Sequence, residues 1–283
     1  MKRFDFTDLK DKVCVITGGA GVIGTALCEA MAAAGIRIAI LDLNTEASES
    51  LAGRLQNEYK TSCIGLGADV LDKLSLEKAR QEIHEKLGKI DFLINGAGGN
   101  SPKATTAVEQ MKEEDLGSIE KTFFGLETDG FDKVFALNFT GTLLPSLVFA
   151  RDMADRKSGV IINISSMNSY RPLTKIPAYS AAKASINNFT QWLAVHLAKM
   201  GIRVNAIAPG FFLTNQNRFL LTDEKTGDPT PRGLKIISST PMGKYGDPED
   251  IQGTLLYLLS DLSEFITGVI IPVDGGYSAF GGV

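Results

Sequence analysis

An α/β fold built on one doubly wound parallel sheet is what this sequence predicts, on three observations. Short apolar runs alternate with stretches of helical period along the chain, the order expected of repeated βαβ units. A glycine cluster, Thr17-Gly-Gly-Ala-Gly-Val-Ile-Gly24, falls where the first apolar run gives way to the first helical stretch, the turn geometry that such folds need. The 283 residues, 44% of them hydrophobic, are enough for one large core. Gly and Pro mark turns between elements without forming a flexible linker, so a single domain over residues 1–283 is expected.

Seven apolar runs are candidate strands: residues 13–17, 37–42, 63–69, 92–95, 160–165, 203–208 and 269–273. Stretches of helical period fill most of the gaps, at roughly 23–34, 48–59, 74–87, 130–154, 178–200 and 248–259. Two connections exceed the usual length, 99–129 and 209–247. Long segments at strand ends tend to carry binding function, and 209–247 is expected to form a substrate lid.

The net charge of −4, with basic residues scattered rather than clustered, argues against nucleic acid and anionic membranes as partners and for a small soluble ligand. No apolar run reaches membrane-spanning length, and the first residues lack the apolar core of a signal peptide, so a cytoplasmic location is expected. Cys14, Cys28 and Cys63 have no CxxC spacing and sit in apolar-periodic segments, which predicts buried thiols rather than disulfides. With only His84 and His196 beside them, no metal site is expected.

A glycine-rich turn between strand and helix suits either a tight connection or a dinucleotide pyrophosphate at the helix N-terminus. Asp42, closing the second strand 18 residues beyond Gly24, favours the second use, because the acidic residue that takes a ribose falls roughly 20 residues on. Its carboxylate accepts hydrogen bonds from ribose hydroxyls and repels a 2′-phosphate, and Gly19, Ala20 and Leu43 offer no cation in its place. NAD is therefore expected over NADP. The alternative role for Asp42 is the N-cap of the next helix. The fold expected is thus Rossmann-like.

Tyr179 and Lys183 stand at i and i+4 after Pro177, on one face of a helix. A phenol titrates near pH 10, roughly, and a neighbouring ammonium lowers that value by stabilising the phenolate. Tyr179 is then a proton donor or acceptor for a carbonyl or alcohol. Ser166, 13 residues upstream at the end of an apolar strand, would hydrogen-bond the same oxygen.

Taken in order, the glycine-rich turn, Asp69-Val70, Asn95-Gly-Ala-Gly98, Asn138, Ser166, Tyr179, Lys183, Pro209-Gly210 and Asp274-Gly-Gly276 resemble the short-chain dehydrogenase/reductase superfamily over nearly the whole chain. The resemblance implies an NAD site comprising Gly18, Gly21, Ile23, Gly24 and Asp42. Asp69 and Val70 would border the adenine, with Asn95, Ala97 and Gly98 on the floor and Pro209, Gly210 and Thr214 near the nicotinamide. Tyr179 and Lys183 would also touch the cofactor, Lys183 at the nicotinamide ribose. It further implies that Asn138 bends its helix and holds a proton-relay water, although an asparagine inside a helix is commonly a local backbone partner. One departure stands out. Val22 occupies the middle-glycine position of the family pattern, and Gly21 lies one place earlier. Non-catalytic relatives that only sense NAD would be expected to lose members of the Asn-Ser-Tyr-Lys set, and this chain keeps all four.

Around the expected pocket the sequence is polar: Asn100, Asn168, Tyr170, Arg171, Lys175, Asn215, Gln216, Asn217 and Arg218. Burying such groups against a steroid or fatty chain is costly. A hydroxylated anion fits better, and either Arg171 or Arg218 could take its carboxylate, with Asn100, Asn168, Asn217, Ser166 and Tyr179 as further contacts. The alternative for each arginine is a solvated or ion-paired surface position. The stretch from Gly210 to Asp223, Thr230-Pro-Arg-Gly233, Thr240-Pro-Met-Gly243 and the ending from Asp274 to Phe280 resemble the D-mannonate oxidoreductase (fructuronate reductase) branch. That resemblance implies interconversion of D-mannonate and D-fructuronate in hexuronate catabolism, by a homotetramer. Gluconate 5-dehydrogenases and 3-oxoacyl carrier-protein reductases share the chemistry and remain alternatives.

Overall fold

A computed structural model describes residues 5–213, 218–223 and 226–282, without the side chains of residues 219 and 220. The first half of the chain alternates strand and helix: β1 (Val13–Thr17), α1 (Val22–Ala33), β2 (Arg37–Asp42), α2 (Thr45–Tyr59), β3 (Cys63–Gly67), α3 (Lys73–Lys86) and β4 (Phe92–Asn95). After the long connection come α4 (Thr128–Phe135), α5 (Gly141–Arg156), β5 (Gly159–Ile164), α6 (Pro177–Leu197), β6 (Ile202–Pro209), α7 (Arg218–Leu221), α8 (Pro231–Ser238), α9 (Gln252–Leu259) and β7 (Ile270–Val273). All seven strands pair in parallel, in the order β3-β2-β1-β4-β5-β6-β7. The chain therefore reverses direction across the sheet between β1 and β4, and the crevice outside the carboxyl ends of those strands is where this architecture takes ligands.

The strands are apolar without alternation because both faces of the sheet are covered. Cys14, Ile16, Ile38, Ile40 and Ile162 pack on one side with Leu27 and Met31 of α1, Leu55 of α2 and Leu255 of α9. Their neighbours Val13, Val15, Ala39, Leu41 and Ile161 pack on the other with Ile83 of α3, Phe149 of α5 and Leu193 of α6. All three cysteines are buried and free, and burial pushes the Cys14, Cys28 and Cys63 thiols upward, away from reactivity.

Several boundaries differ from expectation for local reasons. α2 starts three residues early because the Asn44 side chain accepts a hydrogen bond from the Ala47 N–H at 3.0 Å. The helix expected over 130–154 is two, α4 and α5, joined by a π-helical turn at Ala136–Thr140. Within 209–247, α8 was not anticipated; Thr230 caps it and Pro231 opens it. Ahead of α4, the 99–129 connection holds 3₁₀ turns at Pro102–Ala104, Glu113–Lys121 and Phe123–Gly125. It meets α8 through an ion pair between Glu109 and Lys235 at 2.6 Å. Among the described residues one helical succession, Glu113–Arg156, is long and apolar enough to cross a membrane by length and composition. It is broken at Ser118 and again at the π turn, and α5 within it buries Val148, Phe149 and Met153 against the sheet.

Candidate active site

The turns that follow β1 and β4 touch. Thr17 Oγ1 accepts hydrogen bonds from the N–H groups of Gly96 and Ala97 at 3.2 and 3.3 Å. Gly18 adopts φ +64°, and a Cβ there would lie 2.9 Å from the Ala97 backbone. A Cβ at Gly24 would lie 2.5 Å from the Gly18 carbonyl oxygen, so α1 approaches the turn only because residue 24 is glycine. Gly21 is the N-cap of α1 in an extended conformation, and Val22 is simply the first helical residue. The shifted glycine spacing thus leaves the helix start intact, with Ile23 and Gly24 on the wall of a cleft of about 310 Å³.

At the end of β2, Asp42 Oδ2 accepts from the Ala20 N–H at 3.2 Å and Oδ1 from the Asn44 N–H at 3.1 Å. Asn44, not Asp42, caps α2, so the alternative reading of Asp42 as an N-cap does not hold. The carboxylate faces the glycine-rich turn instead. Val70 is buried against Gly141, whereas Asp69 is exposed and accepts from the Leu71 N–H at 2.8 Å. Gly96, Gly98, Pro209 and Gly210 line the cleft. The Asn95 side chain turns into the sheet, donating to Ser146 Oγ at 3.0 Å and to Asn163 Oδ1 at 2.8 Å, so the floor of the crevice beyond β4 is backbone. Helix N-terminus, glycine surface and strand-end carboxylate fit a dinucleotide.

Ser166, Tyr179 and Lys183 open onto the same cleft. Ser166 stands in extended backbone just past β5, its Oγ accepting from the Asn168 N–H at 3.2 Å and lying close enough to the Tyr179 phenol to pull its pKa down. Its neighbour Ser165 also lines the cleft, but its hydroxyl is engaged, donating to Asn187 Oδ1 at 2.5 Å. Lys183 is buried, donates to the Ile164 carbonyl at 2.8 Å and lies 5.6 Å from the centre of the Tyr179 ring. Burial lowers the Lys183 ammonium to about 8. Burial also pushes the Tyr179 phenol up, against a downward pull from Ser166. Desolvation outweighs the pull of Ser166, and the depression of the phenol by Lys183 expected from the sequence does not show among the causes of the shift.

Asn138 sits at the centre of the π turn, fully buried. Its Nδ2 donates to the carbonyls of Gly99 at 2.7 Å and Val134 at 2.8 Å. Turns of this kind concentrate at functional sites, and here the wider turn directs the amide at the strand extension Gly98–Gly99. A Cβ on Gly98 would fall 2.7 Å from Asn138 Oδ1 and 3.2 Å from Lys183 Nζ.

The expected polar surround is more dispersed. Asn168 is buried, and its Oδ1 has no hydrogen-bond partner among the described residues. Asn100 is exposed and donates to Thr105 Oγ1 at 3.0 Å. Arg171 is exposed and donates to the Phe280 carbonyl, and Tyr170 donates to the Ile270 carbonyl at 2.9 Å; both side chains engage the C-terminal part of the chain. Arg218, at the start of α7, is also exposed. Thr214 and Asn217, with Asn215 and Gln216 between them, lie outside the described residues. Unanticipated from sequence are Ile16, Leu27, Ile164, Phe211 and Phe212, which make the cleft wall more apolar than expected. Phe211-Phe212 directly follows Pro209-Gly210, and that adjacency was the available signal.

A dinucleotide crevice opening onto a serine, a tyrosine and a lysine defines a class: oxidoreductases that move a hydride to or from a nicotinamide. Comparison with known proteins narrows it. A family model described as enoyl-(acyl carrier protein) reductase matches residues 18–278. The uncharacterized oxidoreductase UxuB of Bacillus subtilis is 49% identical over 277 residues, covering 98% of each chain. A 2-dehydro-3-deoxy-D-gluconate 5-dehydrogenase of Formosa agariphila is 31% identical over 278 residues, covering 97% of this chain and 96% of its own. Among solved structures, a Haemophilus influenzae protein provisionally named a D-mannonate oxidoreductase, with bound NAD, superposes with a TM-score of 0.91 at 48% identity, covering 97% of this chain and 98% of that one. NAD+-bound xylitol dehydrogenase gives 0.81 at 31%, covering 95% and 99%. The chain belongs to the short-chain dehydrogenase/reductase family and is an oxidoreductase.

Proposed function

We propose that this protein uses NAD to interconvert the secondary alcohol and ketone of a sugar acid, with D-mannonate and D-fructuronate as the pair. The observation that carries the reaction is the convergence of Ser166, Tyr179 and Lys183 on one cleft beside Asn138. Gly18, Gly24 and Asp42 would hold NAD, which would supply the hydride acceptor for oxidation or the donor for reduction. In reduction, Ser166 hydrogen-bonds the carbonyl oxygen and Tyr179 gives it a proton; in oxidation the phenolate takes the alcohol proton. Ser166 is held for this role by the Asn168 N–H, and Lys183, anchored on the Ile164 carbonyl 5.6 Å from the centre of the Tyr179 ring, would bind the nicotinamide ribose.

Support for a polyhydroxylated substrate comes from Asn168. A buried amide oxygen without a donor, two residues from the serine, suits a substrate hydroxyl. Support for an acid comes from the sugar-acid relatives and from the cations Arg171 and Arg218. A lid role is proposed for residues 209–247, whose helix α8 is tied to the 99–129 connection by the Glu109–Lys235 pair. A homotetramer is proposed too: Leu147 on α5 and Trp192 and Val195 on α6 are exposed apolar surface that a neighbouring copy would cover. The location proposed is the cytoplasm.

The test is a steady-state comparison of D-fructuronate, 5-keto-D-gluconate and an uncharged ketose with NADH, for wild type, Arg171→Gln and Arg218→Gln. D-Fructuronate should be preferred, and loss of the arginine that holds its carboxylate should raise KM about tenfold or more. Equal use of the uncharged ketose would overturn the sugar-acid reading. With NADPH, wild type should be poor, and Asp42→Ser should narrow the gap between the two cofactors. A wild-type preference for NADPH would refute the role of Asp42.

A further inference from the structure

A chain of buried hydrogen bonds, alternating side-chain and backbone acceptors at its α5 end, runs beneath the site and joins the four elements that build it. It starts at the π turn, where Thr142 Oγ1 donates to the Asn138 carbonyl at 2.8 Å. One turn on along α5, Ser146 Oγ donates to the Thr142 carbonyl at 2.7 Å. Ser146 Oγ in turn accepts from Asn95 Nδ2 at the end of β4. Asn95 bonds Asn163, its register partner on β5, and Asn163 Nδ2 donates to Thr190 Oγ1 on α6 at 2.8 Å. Every member is buried, none more than 5% exposed.

Each end of this chain leads to a catalytic group. β4 runs on into Gly96–Gly98, β5 into Ser166, and α6 carries Tyr179 and Lys183. α5 follows the π turn that presents the Asn138 amide to Gly99. The tolerances are small, since Gly98 has no room for a Cβ between Asn138 and Lys183. Parallel strands and helices packed through apolar side chains alone can slide by fractions of an ångström, whereas directional bonds in a dry interior fix one register. Hydroxyls bonding back to the carbonyl four residues earlier are tolerated inside a helix but favour no fold by themselves. Two in succession beside a π turn, with the second tied to the sheet, set the height of that turn.

We propose that Thr142 and Ser146 are positioning residues for the oxidoreductase reaction. Through them the central sheet holds Asn138 at its place against Gly98, Gly99 and Lys183. The inference rests on the oxidoreductase reading and is independent of which sugar acid is the substrate.

The experiment compares Thr142→Val and Ser146→Ala, which delete one hydroxyl each, with Thr142→Ser and Ser146→Thr, which keep it. With whichever acid the wild type reduces, the deletions should lower kcat about tenfold, the scale of one buried hydrogen bond. NADH affinity, read by fluorescence, should stay within about twofold, and the conservative variants should restore kcat; a merely structural role would lower affinity and turnover together. Hydrogen exchange should quicken in peptides spanning residues 96–100 and 134–142 in the deletions alone. Unchanged kcat and exchange in both deletions would overturn the proposal, as would equal losses in the conservative variants. If Thr142→Val does not fold, Ser146→Ala decides by the same readouts. If no acid is turned over, the substrate reading fails and hydrogen exchange alone decides the positioning role.

Discussion

Lys183 illustrates how a residue chosen for chemistry works against stability. Its ammonium is buried with one backbone acceptor, and burial brings its pKa from near 10.5 to about 8. The unfolded chain therefore binds more protons than the folded one between those values, so stability rises with pH across that window. Lys183→Met should abolish turnover and weaken NADH binding, yet stabilise the cofactor-free protein at pH 7 by roughly 1–3 kcal/mol. Thermal melts from pH 7 to 10 check this: the gain should shrink as pH rises above about 8. A lower melting temperature at pH 7 would contradict it. Tyr179→Phe is the complementary change. It removes the phenol beside Ser166 but keeps the ring, so kcat should fall by about 10²-fold or more with NADH affinity retained. Turnover near that of wild type would remove Tyr179 from proton transfer. Both residues were legible in the sequence, because helical spacing places i and i+4 together whatever the tertiary context. The upward shift of the phenol was not legible, since desolvation depends on what packs around it.

Between elements, the close approach of the Gly98 backbone to the side chains of Asn138 and Lys183 sets the tolerances of the site. Gly98 passes over Asn138 and Lys183 at distances that exclude a methyl group. Gly98→Ala should therefore displace the Asn138 amide, lowering kcat and NADH affinity together, unlike the hydroxyl deletions in α5. Kinetics and cofactor titration on the purified variant distinguish the two, and wild-type values would show that the strand extension yields freely. The π turn that brings Asn138 here interrupts what the sequence presents as one helix over 130–154. Its periodicity continues across the break, because one extra residue in a turn barely disturbs an apolar stripe. Similarly, α8 was hidden within a stretch expected to be lid, although Thr230-Pro231 is a recognisable helix start.

At the scale of the molecule, the end of the sheet opposite the site is stapled by a buried charge. Asp152 of α5 accepts from Arg80 and His84 of α3 and from the Ile90 N–H ahead of β4, the last at 3.0 Å. Burial pushes this carboxyl up, but the hydrogen bonds from Arg80, Ile90 and His84 outweigh it and hold the group below the ordinary carboxylate range. The stability it contributes is present above the unfolded carboxylate pKa and is lost as pH falls through the depressed folded value. Asp152→Asn should cost about 3 kcal/mol at pH 7, with the deficit shrinking in acid, while kcat stays near wild type. Chemical denaturation at pH 7 and pH 3 measures it; an equal deficit at both would assign the loss to shape rather than charge.

The sequence by itself determined the class of fold, the position of all seven strands to within two residues, and the serine, tyrosine and lysine that meet in one cleft. These are local signals: apolar runs, turn glycines and helical spacing follow from short-range sterics and survive any arrangement of the whole. Tertiary structure alone decided that Asp42 faces the glycine-rich turn while Asn44 caps α2, and that Asn95 points into the sheet. It also decided that Arg171 reaches the Phe280 carbonyl across more than a hundred residues of chain. Each of these depends on which distant groups compete for one polar side chain, and that competition is settled only when β1, β4 and the C-terminal segment are brought together in one molecule.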